Sequence, residues 1–297
     1  MATTQPFSTD NPTSTATLEP TSGEKTKAKD IAQYGVATID KNSSVYQAIA
    51  LMIKKNVSGL PVVDNSGLAG VISEKDALRL LYETEFVEGC VGDYMTTSVV
   101  TFDEDDELCD ICQCLIDNSF RRVPILHEGR LAGIITRADL IKANKHKFIP
   151  TVSHDASSAD TNLTLAKHVM HCGLLTVRKD THIYEAMDII ATRNITGLPV
   201  VDDSMNLVGI LSEKDLLKLL YHPNIKPGLV EDHMTGDVVT FEKDDSFFEI
   251  CHCLVNNNFR RVPILDQGKL VGLISRTDIM AYIMKNRTKF FSQKSKN

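Results

Sequence analysis

The sequence predicts an α/β fold of the α+β kind, with four strand-helix-strand-strand-helix repeats paired into two pseudo-twofold modules. Three observations predict it. The run Gly59-Leu60-Pro61-Val62-Val63-Asp64 returns 138 residues later from Gly197, and Phe120-Arg121-Arg122-Val123-Pro124-Ile125-Leu126 returns unchanged 139 residues later from Phe259. Each half is itself doubled: Pro61 and Pro124, Gly70 and Gly133, and Asp76 and Asp139 are all 63 residues apart, as are Gly209 and Gly272. Within each quarter, β-branched runs flank one stretch of helical period. The single extra residue of the second half falls in a turn, where Asn65-Ser66-Gly67 is answered by Asp203-Ser204-Met205-Asn206. Turns absorb insertions cheaply.

The first quarter stands for all four. Residues 36–39 are a short β-branched run and read as a strand. Ser43 or Ser44 can cap a helix whose apolar positions are Val45, Ile49, Met52 and Ile53. Residues 60–63 are a second strand, with Pro61 tolerated at its start. After the turn, residues 68–72 are a third strand and residues 74–81 a second helix. About 60 residues bury too little surface to be comfortable alone, so a pair packed sheet to sheet is the expected folding unit. The link within each pair carries a short lead-in helix ending at Met95-Thr96 or Met234-Thr235. The domains are expected at 29–83, 90–146, 165–222 and 229–286, with a linker at 147–164. Residues 1–28, rich in Thr, Ser and Pro, cannot offset their ordering entropy and read as a disordered tail. Residues 287–297 read as a basic, fraying tail.

Composition narrows the class. With 42% hydrophobic and 24% charged residues, a chain disordered throughout is excluded. No run approaches the ~18 apolar residues of a membrane helix, so no membrane partner is expected. The first residues lack the basic flank and apolar core of a secretory signal. Asp10, Glu19 and Glu24, with no arginine before Arg79, argue against a transit peptide. A net charge of −7 argues against nucleic acid as a partner. Seven cysteines, an odd number without an export signal, suit a reducing cytoplasm. Cys109, Cys112 and Cys114 share one helix, and Cys251 and Cys253 its repeat. Cys112 and Cys251 lie on the apolar face and Cys109 is replaced by Phe248, so core or incidental thiols are expected rather than a zinc or redox site. The nine histidines show no metal or triad spacing, and His154, His168 and His171 read as solvated loop residues. No nucleophile elbow or Walker loop is present, so neither an enzyme nor a catalytic cofactor is expected. The acid run Asp103, Glu104, Asp105 and Asp106 reads as an N-cap and negative first turn for the next helix.

One motif closes the third strand of every quarter: Gly-apolar-apolar-Ser/Thr-x-x-Asp. Its instances run from Gly70 to Asp76, Gly133 to Asp139, Gly209 to Asp215 and Gly272 to Asp278. Its Ser or Thr and its Asp form a capping box whatever else they do. Glu or Gln would serve that box as well, so Asp in all four places goes beyond capping. Two arginine pairs, Arg121-Arg122 and Arg260-Arg261, occur only in the second and fourth quarters, where the others have Ser58-Gly59 and Thr196-Gly197. Adjacent guanidiniums repel, so an anion is a natural partner. Ion pairs with surface acids such as Asp117 or Glu128 are the alternative. Lys75, Lys214, Arg137 and Arg276 either add charge or lie on a solvated helix face.

These motifs, in register four times with a Leu-Pro-Val-Val-Asp or Val-Pro-Ile-Leu segment before each, resemble the CBS domain. Two such domains form the pair often called a Bateman module. The layout is similar to that of the gamma subunit of AMP-activated protein kinase. The resemblance implies adenosine ligands, namely AMP, ADP or ATP, in clefts between paired domains. Asp76, Asp139, Asp215 and Asp278 would then hold ribose hydroxyls, and Ser73, Thr136, Ser212 and Ser275 would sit beside ribose or phosphate. Arg121, Arg122, Arg260 and Arg261 would face the phosphates, and Thr38, Thr101, Thr176 and Thr240 the cleft wall. A carboxylate accepts two hydrogen bonds from a cis-diol, and helix N-termini offer N–H groups to phosphate. The expected function is a soluble, cytoplasmic regulatory protein that senses adenine nucleotides and passes occupancy to a partner such as a kinase, enzyme or transporter. A ligand-free interaction scaffold is the alternative. The halves are expected to form one disk within a chain, with a homodimer as the rival arrangement.

Overall fold

The structure, a computed structural model, describes residues 26–83, 87–148, 164–193, 195–221 and 227–291. A lead-in 3-10 turn at Ala28–Asp30 and strand β1 (Gln33–Tyr34) precede the first domain, which comprises β2 (Ile39–Asp40), α1 (Val45–Lys55), β3 (Gly59–Asp64), β4 (Gly67–Ser73) and α2 (Glu74–Glu83). Helix α3 (Val91–Tyr94) leads into β5 (Phe102–Asp103), α4 (Leu108–Asp117), β6 (Arg122–His127), β7 (Arg130–Thr136) and α5 (Arg137–Ala143). The third domain holds β8 (Val177–Arg178), α6 (Ile183–Thr192), β9 (Gly197–Val201), β10 (Leu207–Ser212) and α7 (Glu213–Tyr221). The fourth holds β11 (Phe241–Glu242), α8 (Phe247–Asn256), β12 (Arg261–Asp266), β13 (Lys269–Ser275) and α9 (Arg276–Lys285), followed by α10 (Arg287–Phe291).

Each quarter makes the strand-helix-strand-strand-helix unit. The first strand runs parallel to the second because a helix connects them, and the second and third pair antiparallel through a tight turn. Ser44, not Ser43, caps α1: its Oγ accepts from Gln47 N, and Gln47 Oε1 accepts from Ser44 N. The first strand pairs only at Ile39 and Asp40, a shorter ladder than the β-branched run suggested.

The four sheets are finished by segments that cross over within each module. The chain before the second domain lies on the first, where Val71 and Thr96 bridge. The chain before the first domain lies on the second, where β1 pairs with β7. The second half repeats this: Thr235 bridges Ile210, and His171 bridges Leu273. Sheet edges are thereby covered. The motif glycines make room for these crossings. A Cβ at Gly70 would lie 2.7 Å from the Thr96 carbonyl and 2.6 Å from Met95 Sδ, and one at Gly133 would lie 2.8 Å from the Gln33 carbonyl.

The two modules pack against each other within one chain. Helix α2 meets α7 and α5 meets α9, so the first domain faces the third and the second faces the fourth. A joint core of the second and fourth domains includes Ile111, Leu115, Ile135, Phe247, Ile250 and Ile279.

Several expectations at the margins change. The tail assigned to residues 1–28 lies outside the described residues up to 25, but Lys27 bridges Glu107 and Ala28 is fully buried. Most of the expected linker, with His154, also lies outside the described residues, yet Phe148 packs against Phe290 at 4.8 Å. The basic C-terminus continues into α10, whose Phe290 is 1% exposed, because an apolar side chain there finds the joint core. The acid run does not cap α4, whose N-cap Glu107 makes no side-chain cap hydrogen bond. Asp106 instead accepts from Asp103 N at 2.7 Å to make a turn. Asp105 holds Lys27 at 3.0 Å and Lys29 at 2.8 Å, and these two cations bring its carboxyl down to about 2.

Candidate functional site

The third strand of each domain ends where the second begins, so Ser73 pairs with Gly59 and Thr136 with Arg122. The parallel first strand brings its preceding residue to the same sheet end. Thr38, Thr101, Thr176 and Thr240 therefore stand, half-buried, at that sheet end on the outer strand of their own domain, with the second strand between them and the motif serine or threonine. The residue before each Thr is exposed in three domains: Val100 at 41%, Leu175 at 45% and Val239 at 44%.

The four aspartates all accept hydrogen bonds from their motif serine or threonine, closing full capping boxes at Asp76, Asp139 and Asp278. Asp76 Oδ2 accepts from Ser73 N at 2.8 Å and from Ser73 Oγ at 2.6 Å. Asp139 does the same with Thr136, Asp215 with Ser212 and Asp278 with Ser275. Each aspartate engages one carboxylate oxygen in this way. Of the others, Asp139 Oδ1 accepts from Gln33 Nε2 at 3.3 Å and Asp215 Oδ1 lies 4.0 Å from Lys218. Oδ1 of Asp76 and of Asp278 accepts no hydrogen bond among the described residues.

The arginine pairs divide their work. Arg122 reaches across its module, donating to the Gly59 carbonyl at 2.5 Å and to Ser58 Oγ. Arg261 repeats this with the Gly197 carbonyl at 2.7 Å and Thr196 Oγ1. The second arginine of each pair thus binds the very residues that occupy its place in the sister domain. Burial, with the neighbouring guanidinium, lowers Arg122 and Arg261 to about 10. The first arginine of each pair crosses to the other module. Arg121 Nη1 lies 2.9 Å from Glu213 Oε2, and Arg260 Nη2 lies 2.8 Å from Glu74 Oε2. Arg121 also approaches Glu74 at 3.8 Å. The acid partners are therefore buried glutamates of the motif helices, not Asp117 or Glu128; Asp117 accepts from Gln113.

Two more arginines complete this centre. Arg137 donates to the Leu115 carbonyl at 3.1 Å and to Thr277 of the other module. Arg276 donates to Asn258 Oδ1 at 2.8 Å. Neither is a solvated helix face: burial lowers both, Arg276 to about 10. Lys214 donates to Asn56 of the first domain. Glu74 and Glu213 were not singled out in the sequence, although their register carries a signal. The first and third motifs read Ser-Glu-Lys-Asp, while the second and fourth place Arg137 and Arg276 where the glutamates stand.

Cys112 and Cys251 belong to the core and Cys114 and Cys253 to its margin, whereas Cys172 is exposed. Cys112 is fully buried, and desolvation pushes its thiol up to about 12. No group of three or more candidate metal ligands occurs among the described residues. An open cavity of about 370 Å³ lies elsewhere, on the fourth domain between Phe241, Phe248 and His252. No helix among the described residues is long and apolar enough to cross a membrane.

Comparison with known proteins agrees with this geometry. Residues 28–83, 91–146, 166–222 and 230–285 each match the CBS domain family. The uncharacterized protein MJ1225 of Methanocaldococcus jannaschii is 30% identical over 191 residues, covering 64% of this chain and 68% of that one. Its crystal structure, described as a proposed archaeal homologue of γ-AMPK, superposes with a TM-score of 0.76 at 20% identity, over 87% of this chain and 100% of that one. An uncharacterized conserved protein of Pyrococcus horikoshii gives 0.59 at 23% identity over 87% of this chain and 100% of that one. With four family matches in register on four copies of the same sheet-and-helix unit, the chain belongs to the CBS-domain family.

Proposed function

We propose that this protein is a regulatory sensor that binds adenine nucleotides in the clefts of its two modules and passes occupancy to a partner protein. One observation carries the reading. At a single sheet end the fold gathers a hydroxyl, a half-capped carboxylate and an exposed apolar residue, as with Thr240, Asp278 and Val239. A free carboxylate oxygen suits a ribose diol, an apolar surface suits a base, and Arg121 or Arg260 suits a phosphate. A change in the angle between domains or modules would pass to a partner as a population shift no larger than the ligand's differential affinity.

Calorimetric titration with AMP, ATP and adenosine tests it on the parent and on Asp76→Ala, Asp139→Ala, Asp215→Ala and Asp278→Ala. At an occupied cleft the substitution should weaken nucleotide by about 1.5–3 kcal/mol. Each should lower stability by only about 1 kcal/mol, the worth of a cap. Binding unchanged in all four would reduce the aspartates to capping. No binding by the parent would leave a ligand-free scaffold.

A further inference from the structure

The contact between the modules is unequal at its two ends. The second and fourth domains share one continuous core. The first and third keep separate cores and exchange one leucine each: Leu217 joins the core of the first, and Leu78 that of the third. Between these ends stand Glu74 and Glu213, each 2% exposed. All three ion pairs they make, Glu74 with Arg260 and with Arg121, and Glu213 with Arg121, join one module to the other.

We propose that Glu74 and Glu213 are a latch: internal carboxylates that hold the arginines an incoming phosphate would use, so that phosphate frees the first and third domains from the centre while the second and fourth act as the hinge. This rests on the reading that phosphate-bearing ligands enter the clefts. Carboxylate and phosphate take the same fork of guanidinium donors, so the two compete. A glutamate that loses its arginine while 2% exposed is a buried, unpaired charge, which must be hydrated. Hydration is cheapest where the modules share no single core, and that is between the first and third domains. The centre also has donors to spare: Arg137 Nε and Arg276 Nε are buried with no acceptor among the described residues. A ligand with more oxygens than two carboxylates therefore has something to gain there.

Hydrogen exchange on the full chain tests this, alone and with ATP, inorganic tripolyphosphate or adenosine. ATP and tripolyphosphate should speed exchange about tenfold in Glu74–Glu83 and Glu213–Tyr221 and leave Arg137–Ala143 and Arg276–Lys285 unchanged. Adenosine should do neither. The E74Q/E213Q double variant should show the same selective rise without ligand and bind ATP about tenfold tighter. Parent-like protection in that variant overturns the latch whether or not nucleotide binds. ATP binding by calorimetry without a change in exchange, or with a rise in all four helices, also overturns it while nucleotide binding stands. Selective opening by tripolyphosphate with no ATP binding keeps the latch and removes the nucleotide reading. If the double variant does not fold, the parent's response to tripolyphosphate decides alone.

Discussion

Arg121 and Arg122 are chain neighbours with different tasks, and their loss should be felt differently. Arg122→Ala strips the buried Gly59 carbonyl of a donor, at a cost of about 1–3 kcal/mol. Arg121→Ala leaves Glu213 charged and buried, at a cost of about 3–5 kcal/mol. Adding Glu213→Gln should then recover most of the second loss and none of the first. Denaturant unfolding of the singles and both doubles measures this, and additivity of Arg121→Ala with Glu213→Gln would show that the pair is not coupled. The same division refines the ligand expectation. Arg121→Ala with Glu213→Gln should weaken ATP more than adenosine, because Arg121 keeps 25% of its side chain exposed whereas Arg122 is committed to the sister domain. The capping boxes were legible from Ser/Thr-x-x-Asp alone, because a cap is a contact made within three residues. The glutamate partners were not, because spacing along the chain does not say which module face meets which.

Strand β10 and strand β13 carry the same motif glycine, yet their surroundings differ in a way that can be measured. A Cβ at Gly209 would meet Met234 Sδ at 2.5 Å and the Thr235 carbonyl at 2.9 Å. At Gly272 the nearest atoms are all in the Met170 side chain, starting with Sδ at 2.6 Å. A methionine side chain can move aside, and a bridged backbone carbonyl cannot. Gly209→Ala and Gly272→Ala should each cost about 1–3 kcal/mol by overpacking. Met170→Ala should relieve Gly272→Ala substantially, whereas Met234→Ala should leave most of the Gly209→Ala loss in place. Equal relief in the two strands, read from unfolding midpoints, would mean that the crossing backbone adapts. The order of elements was legible in the sequence because repeats and periodicity are local signals. The crossing of each lead-in segment onto the sister domain was not, since Met95-Thr96 and Met234-Thr235 announce a helix end but not the sheet on which it lands.

At the scale of the molecule, four similar domains could meet in more than one order, and side-chain size decides it. Aromatic residues gather on one side: Phe247 and Phe290 are 2% and 1% exposed, and Tyr282 packs at 4.8 Å from Phe247. The corresponding first and third helices present smaller groups, with Val45 and Ile183 where the fourth domain has Phe247. Among the described residues, a joint aromatic core therefore forms between the second and fourth domains alone. The repeats made four domains in two modules legible, but near-identical copies concealed which domains would face each other. A core shared across two modules has a direct consequence. Each half taken alone would expose the parts of α8 and α9, or of α4 and α5, that meet the other module. Two separately translated chains, residues 1–155 and 156–297, should therefore purify together as a one-to-one complex that elutes near the 32.9 kDa of the intact protein. Phe247→Ala should weaken that complex more than Leu217→Ala, because the first opens the core that both modules share and the second removes one side chain between cores that stay separate. Two stable halves that ignore each other would show the modules to be independent. A particle of twice the mass, with the halves exchanged between chains, would show the same contact made between molecules instead of within one.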